Sequence, residues 1–96
     1  MIKIVALMKA KPECVDAFKK TAEELVKKSR AEEGNIFYTL NEQIGDPTQL
    51  AFIEQWKDQA AIDHHNATEH FTKTLPKLAA LCEKSGPTWF FTEVEY

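Results

Sequence analysis

Residues 50–71, LAFIEQWKDQAAIDHHNATEHF, contain the change of hydrophobic period that decides the fold. In an extended chain, alternate residues face the same side, and Leu50, Phe52 and Trp56 then share one face. We therefore predict a β-strand over Leu50–Lys57 that turns Glu54 and Trp56 to the same side as Phe52. After this strand the pattern becomes helical.

Two helix start signals follow the strand. Asp58 is a suitable N-cap, so we expect a short helix from Gln59 to about His64. Asn66 can also act as a cap, and Glu69 three residues later completes a capping-box pattern. The second helix of the chain is therefore predicted to consist of two pieces.

The segments before this stretch predict a strand, a helix and a second strand. The strands are Ile2–Lys9 and Ile36–Gln43, and the latter is joined by a turn over Gly45–Thr48 to the strand over Leu50–Lys57. The helix begins at Pro12 and is expected to stop at Gly34–Asn35. Its apolar residues follow a helical period, namely Val15, Phe18, Ala22, Leu25 and Val26.

After His70 the chain predicts the rest of the second helix and a last strand. Apolar residues at helical spacing are Phe71, Leu75, Leu78 and Cys82. Pro76 is expected to kink or restart the helix near Leu75, and Ser85–Pro87 to end it. With a strand over Thr88–Glu95, the order is βαββαβ, which is typical of a ferredoxin-like α+β fold with an antiparallel four-stranded sheet.

Length, charge and cysteine content restrict the possible partners. The 96 residues fit one domain, which we expect to span residues 1–96. The formal net charge is -3 without a basic patch, so nucleic acid is not an expected partner. No apolar run reaches membrane-spanning length. Cys14 and Cys82 lie in predicted helices and lack CxxC spacing, which favours reduced thiols in a cytoplasmic protein.

Both faces of the predicted sheet are apolar. The first strand has Val5 and Leu7 on the face opposite to Ile4, and the third strand has Ile53 opposite to Phe52. Two helices can cover only one face of a four-stranded sheet. We therefore predict a homodimer whose sheets pack face to face, helped by the aromatic run Trp89-Phe90-Phe91.

All three histidines of the chain lie within seven positions. His64 and His65 are adjacent and His70 follows five residues later, so no pair has the spacing of three or four that places two ligands on one helix face. We expect no metal site. A helix break at His65–Asn66 would turn one histidine inward as a general base beside Glu54. A capping or hydrogen-bonded histidine without chemistry is the other interpretation.

The same segment resembles a known family. Ile53–Trp56, the Ala/Ile patch after it, His65 and His70–Phe71 resemble the hallmark of the antibiotic-biosynthesis monooxygenases, above all the small bacterial quinol monooxygenases and related signal-degrading proteins. Weaker parts of the pattern are Lys11-Pro12-Glu13, Glu33-Gly34 and Tyr38. The resemblance implies a dimeric ferredoxin-like barrel with a pocket between sheet and helices. It also implies oxidation of a quinol-like or phenolic molecule by dioxygen without metal, flavin or haem.

The resemblance assigns roles to residues at matching positions. His65 would be the base or the group that hydrogen-bonds the substrate. The residues expected to line or support the pocket are Tyr38, Glu54, Trp56, His70 and Phe71. Where haem-degrading relatives use asparagine, tryptophan and histidine, this chain has Ala6, His65 and Leu75, so haem degradation is not expected. The alternatives are an isomerase or degradative enzyme for a small phosphorylated signal molecule, and a non-catalytic stress-response dimer that binds a small molecule.

Overall fold

The computed structural model describes all 96 residues. Its strands and helices are β1 (Ile2–Ala10), α1 (Val15–Arg30), β2 (Asn35–Gln43), β3 (Asp46–Trp56), α2 (Gln59–Asn66), α3 (Glu69–Ala80) and β4 (Cys82–Thr92). A short 3-10 turn, Pro12–Cys14, precedes α1. The predicted βαββαβ order is confirmed, with the second helix in two pieces.

The four strands form one antiparallel sheet in the order β2-β3-β1-β4. This is the strand order of a ferredoxin-like α+β fold, so the predicted fold class is confirmed. The helices bury one face of the sheet against the core. The buried apolar residues are Ile4, Met8, Ala10, Phe18, Ala22, Leu25, Tyr38, Leu50, Phe52, Trp56, Ile62 and Leu78. Glu54 lies on the same buried face as Phe52 and Trp56, as the alternation predicted.

The junction between α2 and α3 is built differently from the prediction. Asp58 does cap α2, because its Oδ1 accepts from the Ala61 N–H at 2.8 Å. The predicted cap at Asn66 is wrong, since α2 continues through this residue. Thr68 is the N-cap of α3 and also donates its hydroxyl to the His65 carbonyl at 2.7 Å. Thr68 therefore joins the two helices and fixes the last turn of α2, which carries His65.

The end of the second helix was also predicted wrongly. α3 stops at Ala80, and Cys82 begins β4 instead of continuing the helix. The turn-like residues Ser85–Pro87 lie inside β4 at a bulge. Ala6 pairs with Thr88 and Met8 with Ser85, so β4 has one more residue than β1 between these two pairs. Gly86 has a φ of 92° there, which favours glycine. Pro76 lies within α3 without ending it.

The hairpin turn is shorter than predicted, and the first helix ends earlier than predicted. β3 already begins at Asp46, so the hairpin turn is reduced to Ile44 and Gly45, whose φ is 91°. α1 ends at Arg30, which leaves residues 31–34 as a separate loop before β2. This loop carries Glu32, a residue that proves central to the site.

The 31–34 loop packs directly on α2 at Gly34. A Cβ atom at this position would overlap the Cβ of Ala61, so only glycine fits without displacing the helix. The Gly34 carbonyl also accepts from the Lys57 N–H at 2.9 Å. These two contacts hold the loop against the end of β3 and the start of α2.

The other face of the sheet carries no helix. At its centre, Val5 lies between Ile53 of β3 and Trp89 of β4. Trp89 retains 46% of its accessible surface and Phe91, two residues along the same face, retains 50%. The sheet thus presents an apolar surface, which we call the outer face. Separately, none of the three helices is long and apolar enough to cross a membrane.

The contact at Gly34 predicts a specific steric effect. Gly34→Ala should lower the free energy of unfolding by about 1–3 kcal/mol, because the new methyl group overlaps Ala61. Urea unfolding measures the loss. Ala61→Gly alone should cost about 1 kcal/mol as a helix glycine. The double variant should then be no less stable than Ala61→Gly, and a purely additive loss would contradict the proposed overlap.

Candidate functional site

A cavity of about 200 Å³ lies between the sheet and the α2–α3 junction. Its wall contains apolar side chains together with two titratable groups, Glu54 and His65. The lining residues are Ile4, Ala6, Glu54, Ile62, His65, Asn66, Phe71, Thr88 and Phe90. A small, mostly apolar cavity with a few polar groups is the usual form of a small-molecule site.

His65 is the most enclosed polar group of this wall. Its side chain is only 2% exposed. The ring packs against Trp56, with ring centroids 4.5 Å apart, and against Phe71 at 4.8 Å. The Nδ1 atom lies 2.6 Å from Oε2 of Glu32, whereas the buried Nε2 atom has no hydrogen-bond partner.

Glu32 binds a second histidine through the same oxygen. Nε2 of His70 lies 2.8 Å from Glu32 Oε2, while Oε1 is buried without a partner. A carboxylate only accepts hydrogen bonds, so with Glu32 in this form both imidazoles would donate N–H to it. The donation from Nδ1 selects the His65 tautomer whose Nε2 carries a lone pair. A carboxylate–histidine pair of this kind orients the ring and increases the basicity of the free nitrogen.

The protonation of His65 is governed by its burial. Desolvation lowers the pKa of His65, and this effect outweighs the opposing hydrogen bond and charge of Glu32. His65 is therefore neutral at physiological pH. It combines a fixed Nδ1–H with a free Nε2 lone pair, which is the form required of a general base.

Glu54 has the opposite perturbation. Burial raises the pKa of Glu54 to about 7, although the hydrogen bond from Trp56 acts to lower it. Trp56 donates its Nε1–H to Glu54 Oε1 at 2.8 Å, which fixes the carboxyl group at the cavity wall. Near neutral pH this group can therefore serve either as a proton donor or as an acceptor.

Trp56 and Tyr38 form the support behind these groups. Tyr38 packs on His65 with ring centroids 5.5 Å apart and on Trp56 at 6.2 Å. Neither aromatic residue lines the cavity. Burial raises the pKa of Tyr38, so its hydroxyl stays protonated.

The structure thus brings together most of the predicted site residues. His65, Glu54 and Phe71 line the cavity, Trp56 and Tyr38 lie behind its wall, and His70 lies outside it. His64 is exposed. Glu32 was missed because it lies in a loop without periodicity. Its only sequence signal is that it is an acidic residue near the close-packing Gly34.

Folding also produces a set of metal-ligating groups that local spacing did not predict. Glu32, His65 and His70 place ligand atoms within 4.8 Å of one another. Two ligands of one tetrahedral Zn²⁺ ion would be about 3.3 Å apart, given metal–ligand bonds of about 2.0–2.1 Å. The N–O distances of 2.6 and 2.8 Å are shorter and match charge-assisted hydrogen bonds. These groups could hold a metal only after the histidines and Glu32 move apart. That the protein has no metal site stays a prediction.

Comparison with known proteins identifies the class of protein. The family model described as antibiotic biosynthesis monooxygenase matches residues 1–77. The chain belongs to the antibiotic biosynthesis monooxygenase family.

Individual relatives support this assignment. "Putative monooxygenase YcnE" of Bacillus subtilis (strain 168) is 46% identical over 77 residues, which cover 80% of this chain and 81% of that protein. A crystal structure of an antibiotic biosynthesis monooxygenase has a TM-score of 0.94 at 38% identity, covering 99% of this chain and 100% of the other. A conserved protein from Methanosarcina mazei Go1 also has a TM-score of 0.94, at 29% identity, covering 97% of this chain and 92% of the other.

The raised pKa of Glu54 predicts a pH-dependent stability. Glutamate ionises near 4.5 in the unfolded chain and near 7 in the folded protein. Between these values the unfolded chain binds fewer protons, so the free energy of unfolding falls as the pH rises and becomes level above about 7. The loss amounts to at most about 3 kcal/mol, at about 1.4 kcal/mol per pKa unit.

Glu54→Gln should remove this loss. The stability of the variant relative to the parent should therefore increase by up to about 3 kcal/mol between about pH 4 and about pH 8. Urea unfolding at a fixed protein concentration measures the difference. Glu95→Gln, at an exposed position, is the matched control and should show no such trend. Parallel pH profiles of the Glu54 variant and the parent would contradict a buried, neutral Glu54.

Proposed function

We propose that the protein is a monooxygenase that oxidises a quinol-like or phenolic small molecule with dioxygen and needs no metal or organic cofactor. The observation that carries this proposal is the neutral His65, whose ring lines the cavity while Glu32 occupies its Nδ1 and its Nε2 has no hydrogen-bond partner. A base in this form can accept the proton of a phenolic hydroxyl group.

The reaction follows from that proton transfer. Loss of the phenolic proton to His65 leaves an electron-rich phenolate, which can pass one electron to dioxygen. The resulting radical pair stays in the apolar cavity and recombines at a ring carbon to form a hydroperoxide. Loss of water then gives the quinone, so one oxygen atom enters the product and the other leaves as water. The substrate itself supplies the electrons.

The size of the cavity favours a substrate with one aromatic ring. An apolar cavity of about 150 Å³ can hold benzene, and the present cavity of about 200 Å³ leaves space for substituents on such a ring. Phe71, Ile62 and Ile4 provide apolar surface for the ring. Glu54 offers a second polar contact, for an oxygen substituent away from His65.

Among the alternatives, one observation favours an isomerase. Glu54 and His65 line the same cavity, and a neutral imidazole beside a carboxyl group whose pKa is about 7 could move a proton between two positions of a small carbonyl compound. A phosphorylated substrate receives no support, because no lysine or arginine lines the cavity. The cavity is also not blocked, which removes the main reason for a purely non-catalytic role.

We further propose that two chains associate through the outer face of the sheet. An apolar surface that includes Val5, Ile53 and Trp89 is unusual on a monomer and is typical of an interface. A second copy of the same face would cover it symmetrically.

The two half-buried free thiols, Cys14 and Cys82, are consistent with a cytoplasmic location.

The proposed dimer predicts different effects at two adjacent residues. Trp89 lies on the outer face, while Phe90 lies on the helix side at the cavity and is 60% exposed. Trp89→Asp should shift the protein from dimer to monomer at micromolar concentration, because a charge would be buried in the interface. Phe90→Asp should leave the dimer intact. Sedimentation velocity distinguishes the species, and a monomeric parent protein would contradict the proposal.

The proposed base predicts a large kinetic effect at one histidine. His65→Ala should lower quinol or phenol oxidation by about 10²–10⁴-fold, as expected for loss of a general base. Oxygen consumption with a set of one-ring quinols measures the rate. His64→Ala is the matched control, since its side chain is exposed and does not line the cavity. Treatment of the parent with a chelator should not change its rate. Equal rates for the two variants would contradict the assignment of His65.

A further inference from the structure

His70 does not touch the cavity, although it belongs to the same hydrogen-bond network. It borders a solvent-facing groove between α1 and α3. The other residues of the groove are Glu24, Lys28, Glu69, Lys73, Thr74 and Lys77. The only polar contact of its Nε2 is with Glu32. The position of His70 therefore gives it no direct contact with a substrate in the cavity.

Glu32 depends on the two histidines for its hydrogen bonds. Its side chain is 7% exposed, and no lysine or arginine lies within ion-pair distance of it. Both donors, His65 and His70, bind the same oxygen, and the second oxygen has no partner. A buried carboxylate is costly unless donors compensate for lost hydration. Loss of His70 would leave Glu32 with one donor and free to rotate.

The two histidines differ in what they can do. His70 has a side chain that is 15% exposed and lies on α3, whereas His65 is enclosed and lies on α2. Glu32 lies between them on a loop that Gly34 holds against α2. The backbone position of Glu32 is thus set by packing, while the direction of its carboxylate is set by the two imidazoles.

We infer that Glu32 and His70 are positioning residues for His65. The carboxylate, held at the same oxygen by the Nε2–H of His70, fixes the His65 ring as the Nδ1–H tautomer and so keeps the lone pair on Nε2. His70 acts through Glu32 and does not contact the substrate. The kinetic consequence rests on the proposed function, whereas the tautomer of His65 does not.

The first test is made on the substrate-free protein. Long-range ¹H–¹⁵N NMR of the imidazole nitrogens at neutral pH reports which nitrogen of His65 carries the proton. The parent should show His65 with Nδ1 protonated and Nε2 unprotonated. Glu32→Gln and His70→Ala should mix the two tautomers. His70→Gln should restore the parent pattern, because its amide can donate to Glu32 but cannot titrate. His64→Ala serves as the control and should match the parent.

The second test is kinetic and uses a one-ring quinol as the probe. His70→Ala should lower kcat by about 10-fold, in the range for partners that orient a functional histidine, with KM unchanged. His70→Gln should recover most of this loss. If His70 had only a structural role, His70→Ala would lower the melting temperature but would leave both the tautomer of His65 and kcat as they are in the parent.

The two tests separate the inference from the proposed function. The parent could show the Nδ1–H tautomer and yet oxidise no quinol. If this tautomer is then lost in Glu32→Gln and His70→Ala and is present again in His70→Gln, the positioning roles stand and the monooxygenase proposal fails. If His65 carries its proton on Nε2 in the parent, or if its tautomer is unchanged in either Glu32→Gln or His70→Ala, the inference is overturned. Stoichiometric zinc in the purified parent would also overturn it, because the three side chains would then be ligands.

Discussion

A single buried oxygen, Oε2 of Glu32, accepts hydrogen bonds from His65 and His70 and thereby connects the 31–34 loop with α2 and α3. Each hydrogen bond to a charged group is worth about 1.5–3 kcal/mol, and breaking one leaves a buried donor or acceptor unpaired. The arrangement depends on a close approach of loop and helix that only Gly34 permits. The fold thus supplies the position of Glu32, and Glu32 supplies the orientation of His65.

The two titratable groups of the cavity are both driven toward neutrality by burial. Desolvation lowers the pKa of His65 and raises the pKa of Glu54 to about 7. A cavity that contains a neutral imidazole and a carboxyl group with a pKa of about 7 can take up a neutral, mostly apolar molecule at a lower electrostatic cost than a cavity with two charged groups. In the proposed reaction, the negative charge on the substrate after proton transfer would be balanced by the imidazolium of His65, which Glu32 would stabilise in turn.

Sequence reasoning succeeded where the period of the side chains is regular. Alternation along β3 placed Glu54 and Trp56 toward the helices, and the cap at Asp58 located the start of α2. It failed where tertiary structure decides. Gly86 with its neighbours belongs to a bulge that only the pairing of β1 with β4 reveals, and turn chemistry alone could not distinguish a bulge from a helix end.

The site shows the same division. His65 was found because it matches a family pattern at a helix junction, whereas Glu32 lies 33 residues away along the chain and carries no periodic or motif signal. The spacing argument against a metal site considered ligands on one helix only. It overlooked that a loop and two helices can bring Glu32, His65 and His70 to one point. The outer face was recognised because alternation reveals apolar residues on both sides of a strand.

The central claim is that the cavity binds a phenol and that His65 removes its proton. Titration of the protein with 4-nitrophenol tests this directly, since the ionised form of this one-ring phenol absorbs at longer wavelength than the neutral form. Below the pKa of the free phenol, binding to the parent should increase the absorbance of the ionised form. His65→Ala should bind the phenol without ionising it. A phenol that stays neutral when bound to the parent protein would contradict the account.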